Sequence, residues 1–281
     1  MKKNLLLIAG AALVFQSFLL SLPVRQVHGQ DSPAGSTGAD FTAPTVFQAA
    51  GPTVASIQNT ITEYRNALGG VNNGAEGPKA DGSGFRVINW DGGGVVTTLD
   101  ENPMVRFLGR GALFTTPDGN GFVQATPDGL AAQFNNPTYA NSFRAFSQFR
   151  LFSVIGGKTT DVDFFVPGNG SVAATTKGFA VVFSDVDQPN GSGPGEKNGN
   201  RKSSTLIEYF GTNGDLLFSS FVPASPGDGG QSFIGIVFPD ARVARVRITS
   251  GDTLPGVTDD NSHDVVMMDD FIFGEPKTLP E

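Results

Sequence analysis

The sequence predicts an all-β fold, a jelly-roll-like antiparallel β-sandwich with one N-terminal amphipathic helix. Three observations predict it. Glycine (37) and proline (18) together form about a fifth of the 281 residues. Phenylalanine alone contributes 24. From Gly84 onward, short apolar runs alternate with turn residues at the interval expected of a sandwich. Turn formers punctuating β-favouring aromatics describe many short strands, and so much phenylalanine excludes a disordered chain.

Residues 1–29 have the layout of a secretory signal peptide. A basic start, Met1-Lys2-Lys3, precedes an apolar run from Leu5 to Leu22, and Val27-His28-Gly29 before Gln30 is an acceptable cleavage context. The expected location is therefore secreted, extracellular or at the cell surface. Loss of this segment removes Lys2, Lys3 and Arg25 and leaves 16 basic against 27 acidic residues, a balance of −11. Such a surface repels nucleic acid and anionic lipid. No second hydrophobic segment follows, so no membrane insertion is expected after cleavage. The chain has no cysteine, so an exported form must rely on core size or bound metal rather than disulfides. About 250 residues suffice for one sizeable core.

Residues 30–45 are polar and small and are expected to form a flexible leader. The helix belongs to residues 46–75. It begins near Pro52, which suits a first helical position, and Val54, Ile57, Ile61, Tyr64 and Leu68 recur at spacings of three and four before Gly69-Gly70. Residues 76–276 form the sandwich and 277–281 a short tail. Within the sandwich, "FGTNGDLLF" (210–218) is the clearest hairpin, with Asn213-Gly214 at its turn. "VARVRITS" (243–250) alternates and is expected to turn its arginine face to water. "GFAVVFSDV" (178–186) is apolar on both faces and is placed near the centre of its sheet.

The chemistry concentrates in carboxylates. "VVMMDDFIF" (265–273) sets Asp269 and Asp270 inside an otherwise apolar strand, although aspartate is depleted in strands and successive side chains point to opposite faces. A buried carboxylate without a partner costs several kcal/mol or gives up its charge. Its partner must be a metal ion, an arginine from another strand or backbone donors. The expectation is calcium, which takes six to eight oxygen ligands. Asp185 and Asp187, at the end of the strand "GFAVVFSDVD", form a second acidic pair opening onto a glycine-rich loop. Glu196 is twelfth from Asp185, but Asn190 stands where a helix-loop-helix calcium loop needs glycine and strands flank the segment, so that motif is rejected. "GVTDDNSHD" (256–264) could add further oxygens. Trp90 and Asp91, followed by three glycines, are the candidate ligand-binding residues, since sugar sites display aromatic rings with a wet polar edge. The alternative is that Trp90 caps the core.

The stretch "GFAVVFSDVD", "STLIEYFGTNGDLLFSSF", "SFIGIVFPDARVARVRITSGD" and "DVVMMDDFIFGEP" resembles a group of uncharacterised exported bacterial β-sandwich proteins, among them PEP-CTERM-type secreted proteins. The shared pattern is a DxD strand end, a Y-x-x-x-G-x-L hairpin, an IARVxI-like strand and a final DDF-x-F/Y-G. The resemblance spans roughly residues 84–275. It implies a jelly-roll-like sandwich similar to carbohydrate-binding and adhesion modules, in which a last-strand carboxylate, here Asp269 or Asp270, helps bind structural calcium. The sorting tail of that group, a hydrophobic helix with basic residues, is not seen after "GEPKTLPE", so sorting by that route is not expected.

Catalytic residue types are scarce. Once His28 leaves with residues 1–29, His263 is the one histidine remaining. Multi-histidine zinc or copper centres are thereby excluded, and a cysteine nucleophile is impossible. No phosphate-binding glycine motif is present. The expectation is a secreted, non-enzymatic, calcium-stabilised sandwich that binds polysaccharide or other cell-surface components, or serves structurally in the extracellular matrix. A carbohydrate-binding module around Trp90 is one alternative. A glycoside hydrolase with two carboxyl groups about 5 to 10 Å apart across an open cleft is another.

Overall fold

A computed structural model of the protein describes residues 42–75, 77–189 and 204–279. The chain divides into two compact units, Met1–Phe41 and Thr42–Glu281, and all described residues lie in the second. The expected signal peptide (1–29), most of the expected leader and Glu196 fall outside the described residues.

In chain order, β1 (Thr45–Gly51) and α1 (Val54–Ala67) precede β2 (Phe85–Ile88), β3 (Thr98–Glu101), β4 (Ala112–Thr115) and β5 (Gly121–Ala125). Two short helices follow, α2 (Pro127–Gln133) and α3 (Tyr139–Ser142). Next come β6 (Leu151–Ile155), β7 (Thr159–Val166), β8 (Asn169–Thr175) and β9 (Gly178–Ser184). The remaining strands are β10 (Leu206–Phe210), β11 (Leu216–Phe221), β12 (Gln231–Val237), β13 (Arg245–Thr249), β14 (Met267–Gly274) and β15 (Lys277–Thr278). They form two antiparallel sheets. One runs β1-β12-β9-β14-β6-β5-β3, with β2 also on β14; the other runs β11-β10-β13-β7-β8-β15, with β4 also on β7.

Phenylalanine explains the packing. Phe114, Phe122, Phe152, Phe164, Phe179, Phe271 and Phe273 meet between the sheets, and Trp90 packs on Phe114, Phe152 and Phe271. A ring without a polar tip gains most from complete burial, at about 25 cal/mol per Å² of apolar area. The outer face of the first sheet is covered as well. Ile57, Ile61 and Tyr64 of α1 pack on Ala180, Val182, Phe233 and Ile272. Leu130 and Tyr139 of α2 and α3 pack near Val123, Leu151 and Met267. Strands β9 and β14 are consequently buried at every position, and β9 lies centrally between β12 and β14. This is why "GFAVVFS" shows no polar alternation.

Two local features depart from the reading of the sequence. Residues 45–51, split there between leader and helix, form strand β1, paired along β12 from Thr45–Val237 to Gly51–Gln231. Thr53 then makes the extended turn into α1. The second departure is in β14. Met268 pairs with Phe183, but Phe271 pairs with Val181, so β14 carries one extra residue. Such a bulge re-aims side chains locally. Both Met268 and Phe271 enter the core between the sheets, and Asp269 and Asp270 occupy the bulged stretch between them. Strict alternation would have driven one carboxylate into that core.

Candidate functional site

The two carboxylates of the bulge have partners of their own. Asp269 is fully buried. Its Oδ2 accepts from the Phe146 and Ser147 amides at 2.6 and 3.2 Å, and its Oδ1 accepts from the Ser147 hydroxyl at 2.9 Å. Burial pushes its carboxyl well above the usual range, with the Asp270 charge adding to the effect and the three donors opposing it. Asp270 faces α1, where Arg65 Nη2 donates to its Oδ2 at 3.3 Å. Burial raises the Asp270 carboxyl to about 6, while Arg65 lowers it and Asp91 raises it. Amide and hydroxyl donors thus engage both oxygens of Asp269, and a guanidinium engages one oxygen of Asp270, whose Oδ1 is buried without a donor.

Trp90 and Asp91, the candidate ligand-binding residues, are likewise engaged within the fold. Trp90 is 2% exposed, too buried for a stacking platform. Its ring lies parallel to Phe152 at 4.1 Å, and its Nε1 donates to the Asp269 carbonyl at 3.0 Å, the polar partner that a buried indole requires. Asp91 accepts from the Phe149 and Arg150 amides through Oδ1, both at 2.9 Å, and from Gln148 through Oδ2 at 3.0 Å. Asp269 and Asp91 therefore bind the amides of five successive residues, 146 to 150, and set the entry to β6.

The other acidic pair sits differently. Asp185 follows β9 directly with φ +73°, left-handed backbone that is uncommon outside glycine. It is fully buried. Its Oδ1 accepts from the Gly229 amide at 3.1 Å, but its Oδ2 has no donor. The side chain it meets is another carboxyl, Asp259, within hydrogen-bonding reach. Burial, then the charges of Asp259 and Asp187, push Asp185 up to about 9. Asp259 is raised to about 6, chiefly by burial and by the Asp187 charge, against the Val265 amide that donates to it at 2.8 Å.

Asp187 Oδ1 accepts from the Gly227 amide at 2.7 Å. Asp264 accepts from the Asp187 and Gln188 amides at 3.2 and 3.4 Å and is raised to about 7, mainly by burial. No arginine or lysine among the described residues forms an ion pair with these four aspartates. Lys158 donates to the Asp252 carbonyl at 2.8 Å. As the side chains stand, no group of three or more His, Asp or Glu among the described residues is arranged to hold a metal.

The acid-rich segment 256–264 was legible as a source of extra oxygens. Its particular contributions, Asp259 and Asp264, depend on the loop folding back to the end of β9, for which the sequence carries no signal.

Three cavities lie among the described residues near these elements. One, of about 330 Å³, is lined by Trp90, Arg106, Phe107, Arg110 and Arg150 among others and by no carboxylate. A second, of about 320 Å³, shares Val87, Asn89 and Arg110 with it and includes the Arg65–Asp270 pair. A third, of about 190 Å³, contains Asp81 and Glu275. Asp81 is bonded by Ser83, and Glu275 forms a fully buried pair with Arg86. None of the three is lined by two unengaged carboxylates. No helix of the described residues is long and apolar enough to cross a membrane.

Fold and site together define a two-sheet antiparallel β-sandwich with an uncompensated carboxylate corner at one strand end. Comparison with protein-family models, curated proteins and solved structures returned no match for this chain.

Proposed function

We propose that the protein is an exported, non-catalytic β-sandwich of the jelly-roll kind, stabilised by a calcium ion at the corner of Asp185, Asp187 and Asp259, and acting at the cell surface or in the extracellular matrix. One observation carries the calcium reading. Asp185 Oδ2 is buried, lacks a donor and meets a second carboxyl. Two carboxylates in one desolvated corner repel unless a proton or a cation stands between them. The donors already present, the Gly229, Gly227 and Val265 amides, each engage one oxygen of a carboxylate and leave the other for an ion. Asp264 has both oxygens on the Asp187 and Gln188 amides and would position Asp187 rather than bind. A hard ion with an adaptable oxygen shell suits irregular loop ligands better than one demanding an octahedron.

The export reading rests on the Met1–Gln30 pattern and the absence of cysteine. Kinship with the PEP-CTERM-type secreted sandwiches rests on the DxD, hairpin and DDF motifs. Both are part of this proposal.

Thermal melting with calcium and with chelator tests the corner. At about a hundredfold excess over Kd, a bound ion contributes about 2.7 kcal/mol. For a domain of this size that raises the midpoint by about 5 to 10 °C. Asp185→Asn should abolish the increment. Equal midpoints in the two buffers, with no calcium found by elemental analysis of the purified protein, would overturn the reading.

A further inference from the structure

The cavity beside Trp90 carries a charge opposite in sign to the rest of the molecule. The chain has a net charge of −8, yet three arginines and no carboxylate line this space of about 330 Å³. Their own partners leave guanidinium capacity unused. Arg150 is 2% exposed. Its Nη1 donates to the Val96 carbonyl and to Thr98 Oγ1, at 3.0 and 2.8 Å, while its Nε has no partner. Arg110 makes no side-chain hydrogen bond or ion pair with the described residues. Arg106 is held from behind by Asp100 at 3.3 Å and by Gln124, with its guanidinium over the Phe107 ring. Asp91, the nearest acid in sequence, has its oxygens on three backbone amides. Arg150 is disfavoured as a cation first by burial and then by Arg106, against Asp91 and Asp100, and Arg110 first by burial and then by Arg86, which lies outside the cavity. Three guanidiniums thus line one small space whose wall contains no carboxylate.

We infer that this cavity binds the carboxylate of a small acidic saccharide, with Arg110 as the accessible guanidinium and Arg106 and Arg150 completing the field. The size suits one pyranose ring, at the low end of ligand cavities, which run from about 300 to 1,000 Å³. A guanidinium presents a rigid fork that matches a planar carboxylate. The remaining wall is mixed, with Ile88 and Phe107 beside Asn89 and Thr98, as a ring with apolar faces and hydroxyl edges needs. Gly93 is part of the fit: a Cβ there would lie 2.6 Å from Arg150 Nη1, so glycine lets the guanidinium sit against the backbone. This site shares no residue with the Asp185 corner and stands or falls apart from it.

The test is a calorimetric titration of the full chain at fixed ionic strength with sodium glucuronate, glucose and sodium sulfate. Glucuronate should bind at least about tenfold more tightly than glucose or sulfate and weaken as salt rises, because the contact is charged and partly open to solvent. Arg110→Met, at a side chain without a hydrogen-bond or ion-pair partner among the described residues, should lose at least about tenfold in affinity while its melting midpoint holds. Absence of glucuronate binding to the native chain overturns the inference. So does glucose binding equally well, or an unchanged affinity in Arg110→Met. Sulfate binding as tightly as glucuronate refutes the saccharide assignment and leaves only an oxyanion site. Should Arg110→Met fail to fold, the ligand ranking and salt dependence of the native chain decide alone.

Discussion

Removing the Asp269 side chain should cost far more than removing its charge. Its Oδ2 serves two amides, those of Phe146 and Ser147, and its Oδ1 serves one hydroxyl. In Asp269→Asn the amide oxygen can take the Oδ2 place and keep both N–H groups satisfied. The new NH₂ then faces the Ser147 hydroxyl, which rotates to accept. What is lost is charge assistance, and burial already disfavours that charge. The expected cost is about 1 kcal/mol. Asp269→Ala instead strips two amides and a hydroxyl of their acceptor. At about 1 to 3 kcal/mol for each group left unsatisfied, with some rescue by water because residues 146 and 147 are only half-buried, the expected loss is about 3 kcal/mol. For a domain of this size that lowers the midpoint by roughly 6 to 12 °C. The assay is urea and thermal unfolding followed by Trp90 emission, in chelator and in calcium. A smaller loss for alanine than for asparagine would refute the donor reading. A loss seen only when calcium is present would restore the cation.

Other expectations follow from the same accounting of partners. Asp270 has a raised carboxyl, about 6 when folded against about 3.9 when unfolded. Between those values the folded chain holds a proton that the unfolded chain has released, so stability falls as pH rises through about 4 to 6, by about 3 kcal/mol. Asp270→Asn does not titrate, so in chelator it should gain that amount on the wild type from pH 4 to 7; a constant difference would sink the assignment. Glu275 and Arg86 are both fully buried in a two-point pair, at 2.8 and 2.7 Å. Glu275→Gln should destabilise by about 3 kcal/mol or more by stranding the guanidinium, and denaturant unfolding of an Arg86→Met/Glu275→Leu double variant should show part of that recovered. Trp90, the one tryptophan of the chain, should emit at short wavelength in the native state and shift red on unfolding. Native emission already at the wavelength of a solvated indole would contradict its packing on Phe152.

Much of the framework was legible because it follows from period and punctuation. The double-sided apolar run of β9, the helix stripe at Ile57, Ile61 and Tyr64, and the Asn213-Gly214 turn between β10 and β11 all carry local signals, and each appears where those signals place it. Strand β1 was not legible. Its "TVFQAAG" has weak alternation and is held by pairing with β12, nearly two hundred residues distant. The bulge in β14 was also hidden, since a one-residue insertion leaves no mark in composition. It was the bulge that decided the fate of Asp269 and Asp270, and partner choice for a buried carboxylate is set by whichever loop arrives. For Asp269 that was 146–147, for Asp270 it was α1. The arginine cavity was missed for the same reason: Arg106, Arg110 and Arg150 have no common spacing and converge only through tertiary structure.

The stretch from Phe146 to Arg150 has no strand or helix assignment, and a glance at secondary structure alone would class it among the regions quickest to trade their amide protons with solvent. Its five N–H groups are nevertheless tied in series to two acids from distant parts of the chain, Asp269 and Asp91. Deuterium uptake there should be slow and should advance in concert. An apparently plain loop is in that sense one latched unit, held at both ends by acids from elsewhere in the chain.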